Sequence, residues 1–550
     1  MSNAARKSPR RATLRNFGSL AAGSTLLVAG VGTTVALAPS AGAASFSVTN
    51  LNDSGLGSLR QAIIDTNGAA GADTIEFAPG VSGMITLQSD LPVITEALDI
   101  SGPGAANLTV SGDGTWAVFA IAPINAGEAV TISGLTITDG QSATRASGIS
   151  AIAATLNVES VVLTENVGGD DVLTGGGAVG TYDSIVSIFD STIDRNTAST
   201  TGYSSQGGGI SSFRGSIVIS GSTITNNSAD YAGGILAVGD SATITGSTIS
   251  SNVAAQTSGG VLLDNDINSV SDSIIDGNRA ANVGGTLVFG PATSVTNTRI
   301  SNNVATEDVG GAVIYGETST VLDRLTVTGN VGDLIGGLEL STGGTISSST
   351  ISGNTGAGIE VANSYYGVTS IDAVQSLLGP LDMNTPSIRA TTGPLAISHT
   401  TVTGNSREGI VQSVRRPPAA IQPQAPAPSF PGIVSLDHVL LADNGLDDLA
   451  SPVSARWSFI EKPVASVVDP SDHNITGVDP QLQPLLFVSD TVSVIPVPFG
   501  SPAWNAGDPA FSPPPEFDQR GLPRIVEIVD IGAYEVQELP AIPTVPTFAG

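Results

Sequence analysis

A six-residue pattern ending in Asn returns along most of this chain, and it narrows the possible folds more than any other feature. Ser-Thr-Ile-Asp-Arg-Asn closes at Asn196, Ser-Thr-Ile-Thr-Asn-Asn at Asn227 and Ser-Thr-Ile-Ser-Ser-Asn at Asn252. Further copies close at Asn278, Asn303, Asn330, Asn354 and Asn405, and a looser one at Asn166. The gaps between successive closing Asn residues are 30, 31, 25, 26, 25, 27, 24 and 51. The gap of 51 reads as two periods, with a degenerate coil near Ser376-Leu377-Leu378. The next candidate, Asn444, follows after 39 residues; residues 417–431 hold six Pro, and without those fifteen the spacing returns to 24. That Pro-rich piece is therefore expected to be a loop extruded from one coil.

Inside a period lie three short runs, for example 234–238, 242–245 and 247–250, each bounded by Gly, Asp, Ser or Asn. They have strand length, and no helix of ten residues fits between them, which excludes βαβ units. Helical periodicity is absent. A propeller blade needs ~40 residues and an aromatic signature. Three strands repeating at fixed length instead coil into a solenoid, each strand pairing in parallel with its equivalent one coil away. The fold class expected is all-β, a right-handed parallel β-helix of about 25 residues per coil with capped ends. Composition agrees: hydrophobic residues make up 40% while aromatics make up 4%, which suits a narrow aliphatic interior. There is no Cys, so disulfides, thiolate metal sites and a cysteine nucleophile are excluded.

The recurring Asn falls at one bend of each coil. Asn tolerates left-handed backbone angles, and its amide can bond the Asn above and below. Asn196, Asn227, Asn252, Asn278, Asn303, Asn330, Asn354 and Asn405 are thus read as a structural ladder. On this reading Asn278, inside the stack, carries more stability than Asn444 at its end. Gly pairs also recur once per coil (208–209, 233–234, 259–260, 284–285, 310–311, 336–337) and mark a second bend where only Gly fits.

The N-terminus reads as an export signal over residues 1–43. Arg6, Lys7, Arg10, Arg11 and Arg15 precede an apolar stretch from Leu20 to Leu37, and Ala41-Gly42-Ala43 offers a small-residue cleavage site with Ala44 as the mature start. Without those five basic residues the formal charge moves from −29 to −34. Such a surface repels nucleic acid and anionic membranes. No later stretch is long and apolar enough for a transmembrane anchor. The remaining organisation expected is an N-terminal cap with first coils over 44–125, β-helix repeats over 126–460, a C-terminal anchor-type cap over 461–537 and a flexible tail over 538–550.

Both ends depart from the repeat. In Gly57-Ser58-Leu59-Arg60-Gln61-Ala62-Ile63, Ser58 suits an N-cap, and Leu59, Ala62 and Ile63 share a helix face that can plug the mouth of the solenoid. This stretch, with Val48 to Asp53 before it and Gly71 to Phe77 after it, resembles the N-terminal "CSLREA" region of bacterial β-helix repeat proteins. Gly57 stands for that motif's Cys and Gln61 for its Glu. At the other end, residues 501–507, 518–524 and 529–535 resemble the "choice-of-anchor Q" domain. With the repeats between them, the likeness spans nearly the whole mature chain. It implies a secreted or surface-displayed β-helix, mostly of unassigned activity, and highlights Asp518, Arg520, Gly521, Asp530 and Gly532. Asp518, Arg520 and Asp530 read as an ion-pair set holding the cap. The tail after Glu535 is Pro-rich, with neither a hydrophobic anchor nor a sorting motif, so simple secretion is expected.

Candidate chemistry is sparse. Two or three carboxylates on one wall would suit glycoside hydrolysis. The best acidic groups are Asp170-Asp171, Asp264 with Asp266, and Asp276, the last expected to share a wall with Asp264. Asp is also the ordinary turn residue of a solenoid. The segments of a polygalacturonase-like site are missing, Lys462 is the only mature lysine, and His399, His438 and His473 have no partner nearby in sequence. The Tyr residues do not recur at one coil position. No cofactor is expected beyond weak Ca²⁺ binding at Asp-rich turns. The expected function is a non-catalytic, adhesin-like binding or structural module, monomeric, with a glycan or protein ligand on its side walls. The alternative is a polysaccharide-active lyase or glycoside hydrolase with its site on one wall.

Overall fold

The computed structural model describes residues 42–123, 125, 128–169, 175–198, 205–341, 343–362, 394–413, 434–464 and 472–537. They belong to one compact unit, Ala41–Gly550. The architecture is the right-handed parallel β-helix expected from the repeat. One typical coil runs from a first wall (Ile235–Val238) through a bend to a second wall (Ser241–Thr245) and then a third wall (Thr248–Ser250). It passes the Asn252 turn and closes on the short strand Val253–Ala254. Third-wall strands form a separate sheet of fifteen strands among the described residues, while the first two walls and the short strands join in one larger sheet.

Register explains the cohesion. Leu163, Ile193, Ile224, Ile249, Ile275, Ile300, Val327, Ile351, Val402 and Leu441 are Cα partners coil after coil. Each is fully buried. The flanking Thr and Ser of each Thr-Ile-Ser triplet point outward. Burying an aliphatic side chain of this size contributes roughly 1.5–3 kcal/mol, and a typical coil adds Ile235 and Ala237 from the first wall, Ala242 and Ile244 from the second and Ile249 from the third to a continuous core.

Three expectations need correction. The first two runs of a central coil are one strand, not two: Ile235–Thr245, Val261–Ser271 and Thr286–Thr296 each pair on both sides of the bend. In the first of these Gly239 fits the bend, where a Cβ would lie 2.5 Å from the Gly215 carbonyl oxygen of the preceding coil; its partner one coil on is Asn265. The gap of 51 is one coil with an insertion, not two coils. Gly344 pairs with Leu395, Thr350 with Thr401, and Asn354 bonds Asn405 directly, leaving no rank between them. Ser376-Leu377-Leu378 and the loop 417–431 lie outside the described residues, although Thr401 pairs directly with Leu440 across the latter. Finally, the left-handed residue is not the ladder Asn but the one before it: Glu165, Arg195, Asn226, Ser251 and Asn302 have φ of 53–58°.

The ladder Asn is used for its side chain. The Asn278 Oδ1 accepts from the Asn252 N–H and Nδ2, both at 3.0 Å, while its Nδ2 donates to Asn303 Oδ1 at 3.0 Å and to the Ile249 carbonyl at 2.9 Å. The same set links consecutive ladder residues from Asn166 to Asn444. Asn444 has Asp448 where the next Asn would be, donating to its Oδ1 at 2.7 Å. The Gly pairs are needed for close approach: a Cβ on Gly234 would lie 2.5 Å from the Gly260 carbonyl oxygen.

At the start, helix Leu59–Asn67 begins at Ser58, whose Oγ accepts from the Gln61 N–H, and buries Leu59, Ala62, Ile63 and Thr66. The other end does more than cover the last coil. After Ile475–Thr476 the chain doubles back along the outside of the third wall as a strap. Thr491 donates to Asn297, Ser493 N–H to Thr326, Gln519 to the Leu325 carbonyl, and Ala533 N–H to Thr401. Leu440, Ala442, Phe459, Val497, Ala503 and Ile531 form its own apolar cluster. Under it, outward Thr350, Ser352, Thr401 and Thr403 are buried, whereas Thr192, Thr223 and Thr248 upstream are partly exposed.

Candidate functional site

Outward positions of the first wall form a column that sequence reading missed. Tyr182, Phe213, Val238, Asp264, Phe289, Tyr315 and Ser341 are Cα partners in successive coils. Tyr182 and Tyr315 thus share one coil position, contrary to the expectation that the Tyr residues do not recur; Phe213, Val238, Asp264 and Phe289 between them hid it, and counting all aromatics by coil position would have shown it. Phe289 and Tyr315 stack with centroids 5.2 Å apart. Arg214 donates to the Tyr182 hydroxyl at 2.8 Å and lies over its ring. The neighbouring outward column carries Leu236, Leu262, Leu287 and Val313, then Glu339 and Glu360. The Tyr315 hydroxyl donates to Glu339 at 3.0 Å.

Asp264 therefore sits in an apolar column between Val238 and Phe289, half-buried. Burial and then the charge of Asp266 push its carboxyl up to about 6. A carboxylic acid so placed exchanges a proton near neutral pH and suits general acid–base work. Asp266 is exposed, two residues along the same strand. Asp276 does not join them. It lies on the third wall, where its Oδ1 accepts from Ser301 at 2.6 Å and Asn302 at 2.8 Å, so it serves the stack. Asp170-Asp171 lie outside the described residues.

The chain's three His residues are brought together. His399, His438, Trp457 and His473 occupy the same left-handed bend in consecutive coils. His399 stacks on His438 at 4.8 Å and Trp457 on His473 at 4.1 Å. The shared position just ahead of each third-wall strand was the signal available in sequence. His438 donates or accepts between Asp437 Oδ1 at 2.8 Å and the Asp508 N–H at 2.9 Å; since the latter can only donate, Nε2 accepts and Nδ1–H faces Asp437. Both ring nitrogens are thereby occupied, and parallel stacking keeps the lone pairs of His399 and His438 from meeting at one ion. Among the described residues no group of three or more His, Asp or Glu is arranged to hold a metal.

In the strap, Asp518 is fully buried and accepts from Arg520 Nη2 at 2.6 Å and from its own turn's backbone at Arg520 and Leu522. Gly521 takes the turn at φ 81°. Asp530 is held by the Asn505 and Val536 N–H groups, not by an arginine. Two further buried charges, Arg524 and Glu535, complete the cluster. Arg524 donates to the Gly532 carbonyl at 2.8 Å, and Glu535 accepts from the Asp530 N–H at 3.0 Å. Gly532 itself bonds the His438 carbonyl, and a Cβ there would lie 2.8 Å from Thr401 Oγ1. The cluster has three carboxylates and two guanidiniums. Burial, then Asp530, push Glu535 up to about 8, and burial pushes Asp530 up to about 6.

The profile of the right-handed beta helix region family matches residues 233–374. No curated protein matches significantly. Among solved structures, the periplasmic alginate epimerase AlgG is similar at 12% identity over 74% of this chain and 83% of that one, with a TM-score of 0.37. The A-module of the Azotobacter vinelandii mannuronan C-5 epimerase AlgE6 gives 14% identity, 79% and 100% coverage, and a TM-score of 0.35. Pectate lyase Pel9A gives 13%, 90% and 96%, and a TM-score of 0.32.

Proposed function

We propose that this chain is an exported, carbohydrate-active β-helix protein whose first wall is the working surface, with Asp264 as its acid–base group. The observation that carries this reading is the lone carboxyl in the column Val238–Asp264–Phe289, held protonatable near neutral pH. The stack has no use for it, since apolar residues fill the neighbouring ranks. Asp183, Asp240 and Asp266 lie exposed along the same edge with Arg214 beside them, so uncharged glycans suit the surface better than polyanions. The test is turnover by residues 44–550 on a panel of neutral and acidic polysaccharides, with and without Ca²⁺. Asp264→Asn should lower the rate by roughly 10²-fold or more with the fold unchanged. Absence of turnover throughout, or an Asn variant as active as the parent, overturns it. One observation favours a second reading, a non-catalytic binding or structural wall: Phe213, Phe289 and Tyr315 are only 3–7% exposed. Binding without turnover, unchanged in Asp264→Asn, is its signature.

A further inference from the structure

The first strand, Ser45–Val48, lies at the edge of the stack and pairs on one side only, with Asp73–Phe77. Just before it, the Ala44 N–H donates to Asp73 Oδ1 at 2.8 Å, and the Ala44 carbonyl accepts from the Thr74 N–H at 2.8 Å. Asp73 is 1% exposed, and its second oxygen, Oδ2, is buried with no hydrogen-bond partner. The carboxyl group in that position is underserved: one amide N–H serves its Oδ1, nothing serves its Oδ2, and a buried polar atom without a partner is costly. Gly42 and Ala43, by contrast, are exposed. The peptide bond between Ala43 and Ala44 thus sits where a peptidase can reach it, while the nitrogen it would release is already in contact with the carboxylate.

We propose that the chain is cut between Ala43 and Ala44 and that Asp73 receives the resulting α-ammonium as an ion pair that locks the first strand. The cut is a hydrolysis by an export peptidase: the Ala43–Ala44 C–N bond breaks, water supplies the carboxylate oxygen left on Ala43, and Ala44 leaves as an amine that takes up a proton. One amide donor becomes three ammonium donors at the same atom, enough to serve both Asp73 oxygens. Charge-assisted bonds of this kind are shorter and roughly twice as strong as neutral ones. The inference rests on the export reading for the occurrence of the cut, but the ion pair is testable apart from it.

The experiment compares four proteins: the chain starting at a free Ala44, the same chain Nα-acetylated, the full 550-residue chain, and the free-Ala44 chain carrying Asp73→Asn. Hydrogen exchange is read at Phe46 to Val48, with overall melting as a check that each protein folds. Exchange in the free-Ala44 chain should be roughly tenfold slower than in the acetylated or full-length forms, and Asp73→Asn should erase the difference. Equal exchange in the free and acetylated chains overturns the ion pair. A secreted product whose mass begins at a residue other than Ala44 overturns the cut, whatever the exchange data show.

Discussion

At the residue scale, Asp264 is the clearest conflict between stability and use. Its raised proton affinity means that the folded chain prefers the protonated acid. Stability from this group is therefore highest below about pH 4, falls as pH rises to about 6, and stays low above. Asp264→Asn removes the charge. The variant should be more stable than the parent by about 1–2 kcal/mol at pH 7, after allowing for solvent screening of a half-buried group. The gain should vanish near pH 4 in urea titrations; a constant gain, or a loss at pH 7, would show that the column does not strain this carboxyl. Sequence pointed to Asp264 as an acid near a bend, but not to its environment. That environment is made by Val238 and Phe289, 26 and 25 residues away, and depends on register. The same blindness placed Asp276 on the wrong wall.

At the element scale, the ladder was legible because one residue type repeats at one place, and its bonding follows from the stacking. What was not legible was its end. Asn444 was expected to matter less than Asn278, on the assumption that the row simply stops. Asp448 continues it with a carboxylate, and Asn444 makes the same contacts as the interior members. Replacing either residue with Ala strands an acceptor-seeking N–H and amide on the previous Asn and a carbonyl one rank back, that of Ile249 or Val402. Each stranded buried group costs about 1–3 kcal/mol. Asn278→Ala and Asn444→Ala should thus lower stability by similar amounts in urea melts, and a nearly silent Asn444→Ala would show that Asp448 does not carry the row onward. Insertions obey the same logic: residues between Asn354 and Asn405 were read as a coil from arithmetic alone, whereas pairing shows that spacing cannot tell an insertion from a missing repeat.

At the scale of the whole molecule, the strap turns a rod with two ends into one whose third wall is covered from Asn297 to Phe459, and its buried charges make that covering pH-sensitive. Three carboxylates face two guanidiniums, so the cluster is neutral only while one carboxyl keeps its proton. Glu535 is that carboxyl, pushed up to about 8. A group whose folded value lies above its ordinary one binds a proton more tightly in the fold. Its contribution is present at low pH and lost as pH rises through the folded value. Other groups act in lower windows. Asp530 changes between about 4 and 6, and Asp264 with it. His399, held well below its usual value by burial and then by Arg524 and His438, works in the opposite sense and lowers stability only as pH falls below about 6.5. Between pH 6.5 and 9 Glu535 acts nearly alone. Melting temperature should therefore decline steadily from pH 6.5 to 9, with a loss on the order of a few kcal/mol. Glu535→Gln keeps an oxygen to accept from the Asp530 N–H but cannot ionise. Its melting temperature should be flat over that interval and should exceed the parent's at pH 9. A Gln variant that declines with the parent's slope would mean that the proton holding the strap resides elsewhere.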